Sequence, residues 1–294
     1  MIAGLLSRLI SAKKIISSAF GAFFNLNNYS LLFGEGSCHM DEGTMRLDIM
    51  ATLKNRNALF QRKNLLYWYK RLYERLLGNK ETVSGLRILE VGSGTSPLKH
   101  FYPSVFTSDI MPLDYVDYVF DAHDIDGVSK IENESLDVIA LTNVLHHMHD
   151  PIRFLSSARN KLRSGGKIIM VEPYFSNLSK LIYFYLHHES SDFDVDVPCL
   201  SKVVGPLSSS NMAIPYMIFW AKKCWISQVL KYYIIDESKT FYYTGISYMA
   251  TGGISHNIIM PHWLYKRIWK IDNWLANSFH RKFAAFFSIT LIKK

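Results

Sequence analysis

The sequence predicts an α/β protein built on a mostly parallel, seven-stranded sheet with helices on both faces. Short apolar segments at 86–91, 105–110, 115–120, 136–141 and 167–171 alternate with stretches of helical periodicity, the rhythm of parallel strands joined by crossover helices. Two more segments, 231–236 and 286–293, supply a sixth and a seventh strand. The first strand runs into Gly92-Ser93-Gly94, a glycine turn at the carboxyl end of a strand, where open α/β sheets bind their ligands.

The helices follow from spacing and punctuation. A helical pattern over about 46–77 places Leu59, Leu65, Leu66, Tyr69, Leu72 and Leu76 on one side and ends at Gly78-Asn79, a C-cap signal. Residues 151–163 carry Ile152, Leu155, Ala158 and Leu162 at helical spacing and stop at Gly165-Gly166. Helices are also expected over 178–187, over parts of 210–230 with a break at Pro215, and over an aromatic stretch at 261–279. The expected organisation is an N-terminal helical cap, 1–80, and a sheet domain, 81–294, with a helical and aromatic insertion at about 174–283. There is no internal repeat and no low-complexity linker.

Composition narrows the function. The 294 residues are 49% hydrophobic and 14% aromatic, with a formal net charge of +8. The length suffices for one sizeable core. The basic residues are scattered and match no nucleic-acid signature, so no nucleic-acid partner is expected. Cys38, Cys199 and Cys224 are too far apart for a CxxC metal or disulfide pattern, which fits a reducing, cytoplasmic setting. No apolar run of about 18 residues is free of charge, so no membrane-spanning helix is expected. In 1–26, Ile2, Leu5, Leu6, Leu9, Ile16, Phe20 and Phe23 form a helical stripe. That stripe either packs on the domain or rests on a membrane surface, the latter implying a location peripheral to the inner membrane.

The residues with chemistry cluster at the expected strand ends. Glu90-Val91-Gly92-Ser93-Gly94-Thr95-Ser96 forms the first loop, and Pro97 stands where a dinucleotide fingerprint would have its third glycine. Asp109 ends the second strand, placed to accept hydrogen bonds from a ribose diol. Asp121-Ala122 follows the third strand and Thr142-Asn143-Val144-Leu145-His146-His147 the fourth. Each acid alone would read equally well as a solvated strand end or a helix cap. Taken in order, with the Leu162-Arg163-Ser164-Gly165-Gly166-Lys167 segment, they resemble the class I S-adenosylmethionine-dependent methyltransferases over about residues 86–173. One departure is Ser96, where that family often has a third glycine.

The resemblance implies a Rossmann-like fold, S-adenosylmethionine as cofactor and a role for each matching residue. Glu90 would orient the amino end of the cofactor, with Gly92, Ser93 and Gly94 against its methionine moiety. Asp109 would bind the ribose, Ile110 would pack on the adenine, and Asp121 and Ala122 would meet the adenine edge. Asn143 and His146 would line the methionine side. Methyl transfer rests mainly on positioning, and for a hydroxyl acceptor a general base adds about 10²–10⁴-fold. His146, His147, His187 and His188 are candidates; His147 reads equally well as an ordinary loop histidine. The acceptor pocket is expected to hold His188 and Tyr183 under a lid carrying Trp263, Tyr265, Trp269 and Trp274. No metal is expected, because the adjacent His187-His188-Glu189 would point apart on a helix.

After the fifth strand, Glu172-Pro173, Leu181-Ile182-Tyr183, His187-His188-Glu189, Ser209-Ser210-Asn211 and Thr251-Gly252-Gly253-Ile254-Ser255 resemble bacterial methyltransferases found with genes for surface polysaccharide or glycolipid assembly. That resemblance implies a small or lipid-linked acceptor, a sugar or other hydroxyl. The alternatives are methylation of a quinone or isoprenoid ring, or a methyltransferase-like binding protein without catalysis. Oligomeric state is left open.

Overall fold

The computed structural model describes residues 42–294 except 186, 188 and 255, and the side chain of Thr244 is left aside. Within it, eight strands form one sheet in the order β3-β2-β1-β4-β5-β8-β6, with β7 also on β8. They are β1 (Ile88–Val91), β2 (Phe106–Asp109), β3 (Tyr118–Val119), β4 (Leu136–Thr142), β5 (Leu162–Pro173), β6 (Tyr233–Ile235), β7 (Phe241–Thr244) and β8 (Ala284–Lys293). Strands β1 to β5 pair in parallel, and β8 runs antiparallel to β5, β6 and β7. The strand beyond the expected seven is β7. It lies end to end with β6 along the outer edge of β8, β6 facing Leu291–Lys293 and β7 facing Ala284–Ser288.

Alternation along the central strands explains why the sheet is covered on both faces. Leu89, Ile139, Leu141, Ile168 and Met170 enter one core, while their neighbours Ile88, Val138, Ala140, Ile169 and Val171 enter the other. Successive side chains of a strand point to opposite faces, so continuous apolar runs bury both. The first core is closed by helix α3 (Pro151–Ala158) through Phe154 and Leu155. The second is closed by α2 (Lys63–Leu77) through Leu65, Trp68, Tyr69 and Leu72, and by Tyr265 of α5 (His262–Ser278).

The helical pattern expected over 46–77 is two helices, α1 (Glu42–Phe60) and α2. The chain breaks at Arg62, whose guanidinium donates to the carbonyls of Gly253, Ile254 and His256 at 2.7, 2.9 and 2.8 Å. Those partners lie about 190 residues away in sequence, so no local pattern announces the break. Helix α3 starts where Asp150 accepts from the Arg153 amide and ends well before residue 163, because Leu162 already pairs with Leu136. Helix α4 (Asn177–Tyr185) matches the expected 178–187. Pro215 does not break its helix: it sits in the first turn of Ala213–Tyr216, where a missing N–H costs nothing, and the break comes at Lys222.

Residues 42–80 belong to the same compact unit as the sheet. The rest of the expected cap, including the 1–26 stripe, lies outside the described residues. Among the described residues no helix is long and apolar enough to cross a membrane.

A polar clamp fixes α1 over the carboxyl ends of the strands. Asp48, buried, accepts from the amides of Leu207 and Ser208 at 2.9 and 3.2 Å and from the Ser208 hydroxyl at 2.9 Å. Asp48→Ala leaves those donors without their partner and is expected to lower unfolding stability by about 1–3 kcal/mol, read from denaturant midpoints. An unchanged midpoint would show that the clamp carries no load.

Candidate active site

The turn after β1 is held from three sides. Gly92 has φ +70°, a backbone conformation that favours glycine. Its missing side chain also makes room for Val144, whose methyls would stand 2.6 Å from an added Cβ. The Ser93 amide donates to the Ser108 carbonyl at 2.8 Å, and the Gly94 amide donates to Asp109 Oδ2 at 2.8 Å. Asp109 Oδ1 accepts from the Met111 amide at 2.9 Å. This carboxylate is therefore oriented by backbone on both oxygens, and each oxygen keeps a further lone pair for a ligand hydroxyl.

Glu90 lies beneath the loop, 1% exposed. Its Oε1 accepts from the Ser96 hydroxyl at 2.5 Å, and the Ser96 hydroxyl meets the Tyr73 hydroxyl at 2.8 Å. Its Oε2 is buried and has no partner in the protein. Burial raises the Glu90 carboxyl to about 7, against the lowering effect of Ser96 and Ser93. Asn143 shows the same pattern across the site. It holds a left-handed backbone, φ +56°, with its amide donating to the Val171 carbonyl at 2.8 Å, and its Oδ1 is buried without a partner. Two orphaned acceptors on neighbouring strand ends, one of them on a strained residue, fit a ligand that brings hydrogen-bond donors. The α-ammonium group of an amino acid supplies them.

Helix α1 covers the loop with residues that the sequence did not single out. Thr52 is fully buried and bonds Met111. Arg56 donates to the Ser96 carbonyl at 2.6 Å and lies 3.9 Å over the Tyr115 ring, while the Tyr115 hydroxyl donates to the Gly94 carbonyl at 2.7 Å. Tyr73 also escaped notice, because it reads simply as an apolar-face residue of α2. An Arg on a helix and a Tyr in a loop carry no motif; only the fold brings them to the glycine turn.

The segment after β4 builds an ionic cluster. His146, 3% exposed, is bonded through Nδ1 to Glu172 Oε2 at 2.6 Å and through Nε2 to Glu189 Oε2 at 3.2 Å. Glu172 Oε1 accepts from the amides of Val144 and Leu145. Burial alone would lower the His146 pKa, but the two carboxylates outweigh it and raise it to about 10. Glu189, half-buried beside that imidazolium, is held well below the usual carboxylate range. His147 is the opposite case: burial and the His146 charge push it down to about 4, and its Nδ1 meets the Ser209 carbonyl at 2.8 Å. Because a carbonyl only accepts, the neutral ring carries its proton on Nδ1.

His146 was expected as a general base. As an imidazolium engaged at both nitrogens it has no lone pair to accept a proton, and its geometry suits positioning and charge balance instead. Among the described residues, His146, His147 and Glu189 also bring potential metal-ligand atoms within 4.8 Å of one another. Adjacent residues on a helix were expected to point apart, yet a turn after β4 and a distant glutamate converge here. A proton on His146 satisfies both carboxylates of this cluster.

The remaining expectations divide. Ile110 follows Asp109 at the site rim. Asp121 caps the turn Ala122–Gly127, accepting from the His123 amide at 2.9 Å and pairing with its ring at 2.6 Å, which holds the carboxyl below its ordinary value; Ala122 is the first residue of that turn. Tyr183 does not face an acceptor: it is buried and its hydroxyl donates to the Ala285 carbonyl. His188 lies outside the described residues. Of the expected lid aromatics, Tyr265 is core, whereas Trp263 and Trp274 are exposed.

The fold and this site define an α/β protein with a glycine turn, an oriented carboxylate and two buried unpartnered acceptors at the carboxyl ends of its parallel strands. Residues 60–193 match the methyltransferase domain family. No curated protein matches this chain in sequence. Similar solved structures include an S-adenosylmethionine-dependent methyltransferase from Archaeoglobus fulgidus, 16% identical over 77% of this chain and 100% of that one, with a TM-score of 0.39. Another is from Mesorhizobium loti, 12% identical over 71% of this chain and 92% of that one, with a TM-score of 0.38.

Two predictions follow from this geometry. Gly92→Ala combines a left-handed backbone with the Val144 contact, whereas Gly165→Ala, at φ +71° with nothing within 4 Å, carries the backbone strain alone. Gly92→Ala should therefore lose more stability than Gly165→Ala, by about 1–3 kcal/mol, and should lose cofactor affinity as well. Equal losses would mean that Val144 yields freely.

The second concerns pH. His146 has a folded pKa raised from 6.5 to about 10, so its contribution is complete below about pH 6.5 and is lost as pH rises through about 10. Glu189, depressed from 4.5, contributes above that value and loses its part as pH falls. Thermal unfolding midpoints should fall on the alkaline arm between pH 7 and 10, and His146→Gln should flatten that arm. An alkaline arm unchanged in His146→Gln would assign it to another group.

Proposed function

We propose that the chain transfers the methyl group of S-adenosylmethionine to a small or lipid-linked acceptor, a sugar or other hydroxyl of surface polysaccharide or glycolipid biosynthesis. The observation that carries the cofactor part is the pair of buried, partnerless acceptors, Glu90 Oε2 and Asn143 Oδ1, beside the Gly92–Gly94 turn. The acceptor class rests on the resemblance of the segments between 172 and 255.

In this reading Glu90 and Asn143 accept from the amino end of the cofactor, Gly92, Ser93 and Gly94 give its backbone close approach, and Asp109 accepts from the ribose hydroxyls. Ile110, Asp121 and Ala122 border the adenine. When bound, the cofactor supplies an electrophilic methyl on a positively charged sulfur. The protein's part is orientation and charge. Glu90 ionises near neutrality, and His146 with Glu172 and Glu189 leaves one net negative charge near a cationic ligand. His146 acts as a positioning residue. The base for a hydroxyl acceptor falls to His188, next to Glu189 in the sequence.

Calorimetric titration with S-adenosylmethionine tests this. Binding is expected to strengthen as pH rises from 6 to 8, as Glu90 loses its proton, and Glu90→Gln should remove that dependence. Asp109→Asn should weaken binding by roughly tenfold or more. No heat and no thermal stabilisation of the wild type at any pH would refute cofactor binding. Transfer of labelled methyl to lipid-extractable or saccharide fractions then separates the acceptor classes.

A further inference from the structure

Helix α5 carries large apolar side chains on both of its faces. Its inward side carries Tyr265, Asp272 and Ala276, all buried, and the Asp272 carboxylate accepts from the Ser247 amide at 2.8 Å. At about 100° per residue, Trp263, Arg267, Lys270 and Trp274 fall on the opposite line, with Ile271 beside them. Trp263 is 61% exposed, Ile271 60% and Trp274 59%, and the patch continues into Ile259 at 93% and Phe279 at 45%. Large apolar side chains rarely stand this far into water together without a partner.

The charges around the patch have one sign. Lys266, Arg267, Lys270, Arg281 and Lys282 are all exposed, and the single acid between residues 256 and 282 is Asp272, which is buried. Exposed tryptophans alternating with basic residues are what a bilayer interface selects: indole rings settle at the headgroup level, while lysine and arginine meet anionic lipid. A second protein surface would need a matching acidic and apolar face; an anionic bilayer offers both at once.

We propose that the outward face of α5, with Phe279, Arg281 and Lys282, docks the protein on an anionic lipid surface. The place of this face in the fold also matters. Phe286 pairs with Pro173 at the carboxyl end of β5, so residues 279–283, which lead into β8, lie at the end of the sheet that bears Gly92, Asp109 and Asn143. Docking through this helix holds the cofactor end of the sheet near the membrane, where a lipid-linked acceptor would be met. The docking itself does not depend on the methyl-transfer reading.

The test is flotation of the full chain, without cofactor, with vesicles of phosphatidylcholine alone and with about one quarter phosphatidylglycerol. Binding is expected to the anionic vesicles only and to fall with added salt. The exposed pair Trp263→Ala with Trp274→Ala should reduce it by about tenfold or more, and Lys266→Gln with Lys270→Gln by roughly twentyfold. Both variants should keep the circular dichroism spectrum, thermal midpoint and cofactor affinity of the wild type. Vesicle binding unaffected by either pair would overturn the proposal, as would no binding by the wild type. A dimer in light scattering that Trp274→Ala dissociates, with no vesicle binding, would assign the face to a second copy and overturn it equally. Failure of cofactor binding in the separate calorimetric assay would leave the docking result standing.

Discussion

The carboxylate of Asp109 is the fixed point of the site. It accepts one amide from the loop after β1 and one from the turn after β2, so two strand ends become a single rim. Everything that faces a ligand is placed by reference to that rim. The Gly94 amide is turned toward β2, the loop carbonyls are left outward for Arg56 and Tyr115, and Glu90 is trapped below with one oxygen satisfied by Ser96. A carboxylate buried this deeply is costly unless hydrogen-bonded, and burial does raise Asp109 above its ordinary value even though its backbone amides lower it. The protein thus keeps an anion where a neutral group would pack more easily. That choice accords with the role proposed for Asp109 toward ribose hydroxyls.

The same principle, charge held at a desolvation cost, recurs after β4 with a different outcome. Glu172 is fully buried, and two amides of the Asn143–Leu145 turn and the His146 ring share its two oxygens. The turn is therefore anchored to β5 by the Glu172 side chain as well as by the Asn143 amide on the Val171 carbonyl. Anchoring it this way leaves Asn143 in its left-handed conformation and Val144 packed against Gly92, so the glycine turn and the β4 turn constrain each other sterically. Loss of order in either would be felt in both.

How much of this was legible in the sequence depends on whether the cause was local. The strands, the Gly92–Gly94 turn and the strand-end positions of Asp109 and Asn143 were readable, because apolar runs, glycine and strand-end polar residues act over a few residues, whereas Asp121, expected at an adenine edge, caps the Ala122–Gly127 turn. The split at Arg62 was not, because its partners lie in the 253–256 turn. Strand β7 was hidden in an aromatic stretch that reads as insertion, and only its place beside β8 makes it a strand. Tyr183 was misassigned for a related reason: an aromatic near histidines suggests a pocket, whereas its hydroxyl is consumed by the Ala285 carbonyl. Likewise His146 carries the right residue type for a base, but its protonation is decided by Glu172 and Glu189, 26 and 43 residues along the chain.

Helix α1 shows how the cover and the site differ in the kind of force that holds them. Of its 19 residues, Asp48, Thr52 and Leu59 are buried, and two of those three are polar. Its grip on the rest of the protein comes from Asp48 on the 207–208 amides and Arg56 on the Ser96 carbonyl, whereas α2 is bound by a row of buried leucines and aromatics. Apolar burial is lost only when the whole interface opens, but a polar clamp exchanges its partners for water at small net cost. The element over the glycine turn is therefore the one whose release is least expensive, and the elements beneath it are those whose release would unfold the core. The cover is thus held by directional polar bonds and the sheet beneath it by apolar burial, so substitutions in the two should differ in kind: lost partners in one, cavities in the other.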